Sequence, residues 1–189
     1  MLEGLGVDVD VVEFGKGRLR GFLLDKRQHP GSHGADLIDT GSYSRELRHI
    51  VADYRKILRV ISRSTANRRT PVIAHTYSNL KPRKVGTHLG AIKFNRGWVA
   101  RYMDEDKHIS DEDEQQEIIK TLLTRFRDAM QQLENDFPRF LLVDTLRTLS
   151  TGGKPDVSLF HDEIHPNLRG FRKVFRRIKR VARDRNMWL

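Results

Sequence analysis

Asp162 and His165 are the residues whose types and spacing are best suited to chemistry. An Asp three residues before a His, followed by Pro166 and Asn167, places a carboxylate and an imidazole on one loop that leads into a helix. Such a pair can act as orienter and base, because the carboxylate fixes the tautomer of the imidazole while the imidazole takes a proton from a hydroxyl. The spacing by itself more often marks a loop whose Asp and His only satisfy backbone groups.

Ser78 and Ser32 are the hydroxyls to weigh as nucleophiles. Ser78 directly follows the apolar run 71–77, at the end of a predicted strand where an active site would lie. Neither serine has the strand–turn–helix context that presents a nucleophile, so we favour a loop hydroxyl as the interpretation of Ser78. His75 and Tyr77 are candidates for lining a cleft, although a buried His bonded to the backbone is the commoner case.

His161 and His165, four residues apart with Glu163 between them, raise the question of a metal site. The pattern differs from the His-Glu-x-x-His zinc helix, because Glu163 stands in the wrong position and Pro166 disfavours a continuing helix. The chain has no cysteine, which excludes thiolate nucleophiles, Cys-ligated zinc, iron–sulfur clusters and disulfides. We therefore predict no metal and no cofactor, and regard His161 as a neighbour of the Asp162 and His165 pair.

The positive charge of the chain is concentrated at its C-terminal end. Residues 167–189 hold nine Lys or Arg and a single acid, Asp184, so they supply +8 of the net charge of +10. Two interpretations of this basic helix stay open, namely binding to nucleic acid or an anionic surface, and packing as a final covering helix. We favour the covering helix and do not expect a nucleic-acid partner.

The length of the chain suits a single domain, residues 1–189, that includes this basic helix and tail.

The N-terminal segment lacks the features of an export signal. Residues 1–14 carry four acids and no Lys or Arg, which is the reverse of the basic start of a signal peptide. No apolar run approaches the roughly 18 residues of a membrane span. We therefore predict a cytoplasmic protein without a transmembrane segment.

Three segments repeat apolar residues at the three- and four-residue steps of a helix that packs on a larger surface. They are residues 44–61, residues 110–134 and the segment after Asn167. In the second, Ser110 and Asp113 have the spacing of a capping box, which predicts the helix start at Ser110. The apolar face of the third is predicted to pack inward, and it consists of Leu168, Phe171, Val174, Phe175, Ile178 and Val181.

Two short apolar runs, 71–77 and 139–144, are rich in strand-forming residues. Neither alternates cleanly between apolar and polar positions, which is typical of parallel strands covered on both faces. The order helix, strand, helix, strand, helix favours an α/β layered fold, whose ligands bind beyond the carboxyl ends of the strands. The glycine-containing stretch 15–40 is predicted to be mostly loop, with a short helix at 19–24.

The segment from Asp162 to Asn167, which leads into a helix containing Gly170, resembles the last conserved block of the SGNH (GDSL-type) hydrolase family. The run 71–77 resembles the penultimate strand of that family, and 140–144 resembles its last strand. Together these matches cover most of residues 44–180. The resemblance implies a flavodoxin-like three-layer α/β fold built on a parallel sheet.

The resemblance also implies an esterase or acyl hydrolase that acts on a small-molecule ester. In that family a Ser attacks the carbonyl, so His165 would be its base and Asp162 would orient His165. The family's Ser lies in a Gly-Asp-Ser motif, and this sequence contains no Gly-Asp-Ser. Residues 2–10 are similar to a degenerate copy of the Gly-x-Asn-Asp block, which makes Gly6 a candidate for the oxyanion hole or the cleft lining, but they contain no Asn.

This register of the resemblance implies that the chain starts where the family's third strand ends, and that the first two strands, the nucleophile and two oxyanion donors would be missing. We therefore expect an N-terminally truncated domain with little or no hydrolysis by this chain alone. A partner chain that completes the open sheet edge is a further expectation to test. The alternative is a non-enzymatic basic protein that binds nucleic acid or anionic surfaces through its C-terminal helix.

Overall fold

The structure, a computed structural model, describes residues 21–85, 88–89, 92–93 and 98–187. These residues form a mixed α/β chain. None of their helices combines the length and the hydropathy that a membrane-spanning segment requires. The helices are α1 (Thr40–Arg63), α2 (Val99–Arg101), α3 (Glu112–Gln131), α4 (Leu133–Asp136) and α5 (Leu168–Asp184), with 3-10 turns at Gly34–Leu37 and Val157–Leu159 and a π turn at Tyr102–Asp106. The strands are β1 (Val72–His75), β2 (His88–Leu89), β3 (Ile92–Lys93), β4 (Phe140–Val143), β5 (Ser150–Thr151) and β6 (Lys154–Pro155).

β1 and β4 form a parallel pair, which confirms the prediction of two parallel strands. Val72 lies opposite Phe140, and the register continues to His75 opposite Val143. All four residues of β4 are buried, whereas β1 is mostly half-buried, so the prediction of a strand covered on both faces is confirmed for β4 and wrong for β1. β2 with β3 and β5 with β6 form short antiparallel pairs, so the described residues contain three separate two-stranded sheets.

The side chains of β4 alternate between two groups of helices. Phe140 and Leu142 pack against α1, α3 and α4 on one face, and Leu141 and Val143 pack against the C-terminal half of α5 on the other. The backbone N–H of Leu142 donates to the carboxylate of Glu134 at 2.7 Å. Helices on both faces explain why the four residues of this strand are all apolar, since both of its faces are kept from water.

Each long helix begins at a polar side chain that accepts hydrogen bonds from its first backbone N–H groups. Asp39 caps α1, Asp111 caps α3 and Asn167 caps α5, with oxygen–nitrogen distances of 2.8 to 3.1 Å. The start of α5 after Asn167 confirms the prediction for that helix. The predicted cap at Ser110 is wrong by one residue, because the carboxylate of Asp111 reaches the N–H of Glu114 three positions later.

The apolar face of α5 is only partly covered. Val174 is buried, but Leu168, Phe171 and Phe175 are 65%, 55% and 53% exposed, so the prediction that they pack inward is wrong. The reason is the short strand beneath the helix. α5 has 17 residues and is about 25 Å long, whereas the four residues of β4 span about 13 Å. The strand therefore reaches only part of the helix, and its buried contacts lie near Ala182.

The described segment that precedes α1 is mostly loop. Leu23 pairs with Ile38 in an antiparallel bridge, which brings the two ends of this loop together. The helix predicted at 19–24 is not formed over residues 21–24, and residues 19 and 20 lie outside the described part. This bridge forms instead of a helix because it allows Leu23 to be buried against the core around α3.

Glu114 connects that loop to α3. Its carboxylate accepts hydrogen bonds from the ammonium of Lys26 and, at 3.1 Å, from the backbone N–H of Gly34. Burial raises the pKa of Glu114, but the Lys26 ammonium and the Gly34 N–H outweigh burial and hold the pKa of this carboxyl below its ordinary value. Glu114 is therefore a charged group on which the packing of the loop depends.

Candidate functional site

Asp162 and His165 lie on a closed loop directly before α5. Phe160 and Pro166 form an antiparallel bridge at the base of this loop. Inside it, the backbone N–H of His161 donates to the carbonyl oxygen of His165 at 2.7 Å. The backbone thus holds the two predicted catalytic residues at a fixed separation.

The carboxylate of Asp162 is buried, with 2% of the residue exposed. Its Oδ1 accepts hydrogen bonds from the backbone N–H of Ile164 at 2.9 Å and of His165 at 2.7 Å. Its Oδ2 lies 2.8 Å from His165 Nδ1. Because an ionised carboxylate can only accept, Nδ1 carries the proton of the neutral ring and Nε2 keeps its lone pair.

The imidazole of His165 is accessible, since 54% of its side chain is exposed. The ring of Trp98 packs edge-on against it, with 5.6 Å between ring centroids and 83° between ring planes. Within the described residues, Asp162 is the one side chain that hydrogen-bonds to this ring. Nε2 is therefore available to take a proton from a bound molecule.

Glu163, next to the pair, is a buried anchor that organises this region, with 1% of the residue exposed. Its Oε1 accepts hydrogen bonds from the backbone N–H of Arg83 at 3.0 Å and of Ala100 at 2.6 Å. Its Oε2 accepts from the backbone N–H of Trp98 at 2.6 Å and of Val99 at 2.8 Å. The carboxylate thus satisfies the first N–H groups of α2 and places Trp98 beside His165.

The role of Glu163 could not be found in the sequence. Its four partners are 63 to 80 residues away along the chain, so no local spacing marks them. The segment that contains Arg83 also contacts Asp162, whose carbonyl oxygen accepts a hydrogen bond from Arg83 Nη2 at 2.7 Å.

Ser78 is not joined to the imidazole. Its hydroxyl donates to the carbonyl oxygen of Thr145 at 2.7 Å, and no hydrogen bond in the described part connects it to His165. The structure therefore places Ser78 as a loop hydroxyl that links the ends of the two parallel strands.

No described hydrogen bond or ring contact joins His75 or Tyr77 to the pair. His75 is exposed, and its Nδ1 lies 2.8 Å from the carbonyl oxygen of the next residue. Tyr77 is 65% exposed, with its ring 6.3 Å from that of Phe126. Gly6 lies outside the described residues.

A pair of buried threonines joins the carboxyl ends of β1 and β4. The backbone N–H of Thr145 donates to the hydroxyl of Thr76 at 2.8 Å, and the Thr145 hydroxyl donates to the carbonyl oxygen of Thr76. Just beyond, the N–H of Asn79 donates to the carbonyl oxygen of Leu146 at 2.8 Å. These bonds hold together the two loops between which parallel sheets bind their ligands.

A cleft of about 1060 Å³ opens at this edge of the strand pair, and Asn79, Asp144 and Leu146 contribute to its wall. The sequence predicted a basic C-terminal helix but not that α3 and the loop after β4 would face it with further positive charge. Seven cationic side chains line the cleft: Lys120 and Arg127 from α3, Arg147 from the loop after β4, and Lys173, Arg176, Arg177 and Arg180 from α5.

Gly170 allows α5 to start directly against the loop of Asp162 and His165. A Cβ atom at this position would lie 2.3 Å from the carbonyl oxygen of Leu159 and 2.9 Å from Cβ of Pro166. Both distances are far below ordinary van der Waals contact, so a larger residue would displace the helix from the loop.

No group of three or more His, Asp or Glu side chains within the described residues is arranged to hold a metal ion. Comparisons of the chain with family models, with curated proteins and with solved structures found no match.

Proposed function

We propose that the chain is of SGNH (GDSL-type) hydrolase lineage, with Asp162 and His165 as the dyad for ester or acyl hydrolysis. The observation that carries the proposal is the 2.8 Å hydrogen bond from the exposed imidazole to the buried carboxylate. The backbone bridge and the bonds to Asp162 Oδ1 already close the loop. The imidazole is not needed for that closure, which favours a chemical role for it.

The dyad would act as a base and its orienter. His165 Nε2 takes the proton of an attacking hydroxyl or water, whose oxygen forms a bond to the ester carbonyl carbon. The imidazolium then returns that proton to the leaving alcohol oxygen as the C–O bond breaks. Asp162 holds the ring in the tautomer that this needs, and its charge stabilises the imidazolium.

The proposal includes a flavodoxin-like three-layer sheet of which β1 and β4 are two strands. Helices pack on both faces of β4, and the loop of the dyad follows β4 in the chain. Both features agree with what the family resemblance implies.

We assign no residue as the nucleophile of the proposed reaction. The sequence contains no Gly-Asp-Ser, and the Ser78 hydroxyl donates to a backbone carbonyl oxygen. We therefore propose that this chain alone hydrolyses esters slowly, with water or the imidazole itself as the attacking group.

Hydrolysis of p-nitrophenyl acetate by purified protein tests the proposal. The wild-type chain is compared with His165→Ala, with Asp162→Asn and with His161→Ala as the matched control, because His161 is a second exposed histidine of the same loop. We expect His165→Ala to lower the rate above buffer by at least about tenfold. Asp162→Asn should also lower it, and His161→Ala should leave it unchanged.

Equal rates for the wild-type chain and His165→Ala would contradict the proposal. Equal losses in His165→Ala and His161→Ala would also contradict it, because they would show that any exposed imidazole of the loop reacts with the ester. Circular dichroism of each variant establishes that the rates are compared between folded proteins.

A further inference from the structure

We propose that the basic cleft at the carboxyl ends of β1 and β4 binds a compact small molecule that carries two or more phosphate groups. The proposal goes beyond the hydrolase proposal and does not depend on it. Neither Asp162 nor His165 is among the described residues that line the cleft.

The cleft gathers positive charge that the described carboxylates neutralise only in part. Asp144 is the only acid among the described residues that line it. Asp144 lies 3.5 Å from Arg127, which is also paired with Asp128 at 2.6 Å. The other six cations of the cleft have no described carboxylate within 4.0 Å, and of these Arg177 donates to the carbonyl oxygen of Asp144 at 3.4 Å. An anion with several charges would relieve the repulsion between them.

The cations converge from three elements on one volume. Residues 173, 176, 177 and 180 of α5 recur at three- and four-residue steps and so share one face of the helix. Lys120, Thr124 and Arg127 share one face of α3 in the same way. Arg147 completes the set from the loop after β4. A site built from two helix faces and a strand-end loop can contact one ligand from several sides.

The chemistry of the lining favours phosphate groups. Five of the seven cations are arginines, whose planar guanidinium forms paired hydrogen bonds with phosphate oxygens. The hydroxyls of Thr124, Thr148 and Ser150 add uncharged donors. The position also fits, because ligands of parallel α/β sheets bind beyond the carboxyl ends of the strands.

The size and composition of the cleft favour a small molecule over nucleic acid. Its volume of about 1060 Å³ lies just above the range of about 300–1000 Å³ for small-molecule sites, which leaves room for a ligand with several phosphate groups. No aromatic side chain is among the described residues that line it, whereas single-stranded nucleic acid binders stack bases on aromatic rings.

Isothermal titration calorimetry with inorganic tripolyphosphate tests the proposal on the full chain. The variant Arg176→Gln with Arg180→Gln removes two cations of the cleft. Its matched control, Arg172→Gln with Arg183→Gln, removes the same charge from exposed positions of the same helix that do not line the cleft. We expect the cleft variant to bind tripolyphosphate at least about tenfold more weakly, which is about 1.4 kcal/mol, and the control to stay within about twofold of wild type.

Three further titrations complete the test: orthophosphate on the wild-type chain, tripolyphosphate on His165→Ala, and a single-stranded RNA oligonucleotide on the wild-type chain and both double variants. Orthophosphate should bind much more weakly than tripolyphosphate, and His165→Ala should bind tripolyphosphate as wild type does. The proposal is overturned if tripolyphosphate does not bind at about 1 mM, or if the two double variants weaken binding equally. It is also overturned if a single-stranded RNA oligonucleotide binds more tightly than tripolyphosphate and loses affinity equally in both variants. That last result would assign the basic helix to a nucleic-acid surface.

Discussion

The substitution Glu163→Gln tests whether one buried carboxylate organises the region around the dyad. The carboxylate accepts hydrogen bonds from four backbone N–H groups, two on each oxygen. Glutamine keeps one carbonyl oxygen and turns the other position into an NH₂ donor, so two of the four N–H groups lose their acceptor. Each hydrogen bond to a charged group contributes about 1.5–3 kcal/mol, so the loss is about 3–6 kcal/mol. That is a large part of a total stability of about 5–15 kcal/mol.

Urea unfolding followed by far-ultraviolet circular dichroism measures this loss. The matched control is Glu112→Gln, because Glu112 is 70% exposed and its ion pair with Lys81 lies at the surface. We expect the control to change the free energy of unfolding by less than about 1 kcal/mol. A change below about 1 kcal/mol for Glu163→Gln itself would refute the inference that this carboxylate holds the start of α2.

Three further changes test other parts of the structure. Gly170→Ala should lower the free energy of unfolding by about 1–3 kcal/mol, since its Cβ meets a backbone carbonyl oxygen. Gly41→Ala, also in a first helical turn but with ordinary space for a Cβ, should not lower it. Thermal unfolding compares the two, and equal stabilities would contradict the clash. Ser78→Ala should lower stability by about 1 kcal/mol and leave p-nitrophenyl acetate hydrolysis unchanged, and a loss of hydrolysis would instead identify Ser78 as the nucleophile. Because folding lowers the pKa of Glu114, its carboxylate stabilises the fold above its ordinary pKa, and this contribution is lost as the pH falls through the lowered value. Glu114→Gln should therefore lose less stability than wild type in urea unfolding between about pH 6 and about pH 3, and equal losses would contradict this.

The elements that could be predicted from the sequence are those whose signals are local. The apolar runs 71–77 and 139–144 predicted β1 and β4. For β4 the reason is that a strand covered on both faces needs consecutive apolar residues, whereas the partial exposure of β1 did not follow from its sequence. Asn167 marked the start of α5, because a short polar side chain is needed at a helix cap. The three-residue spacing of Asp162 and His165 also sufficed to predict that they share a loop.

The features that could not be predicted depend on partners far away in the chain. The four N–H groups that Glu163 binds belong to residues 83 and 98–100, which are 63 to 80 positions away in the chain, so no local pattern marks them. The cleft needs α3 to lie beside α5, and helical periodicity says nothing about which helices become neighbours. The exposure of Phe171 and Phe175 follows from the short length of β4, which an apolar pattern on the helix cannot reveal.

The most direct test of the dyad is the protonation state of the two ring nitrogens of His165, measured by long-range ¹H–¹⁵N correlation spectroscopy on the neutral ring. We expect a proton on Nδ1 and a bare Nε2 in the wild-type chain, because the buried carboxylate of Asp162 accepts a hydrogen bond from Nδ1. Asp162→Asn should convert this into a mixture of tautomers. A wild-type ring with its proton on Nε2, or one that averages between tautomers as a freely exposed imidazole does, would contradict the proposal that Asp162 orients His165 as a base.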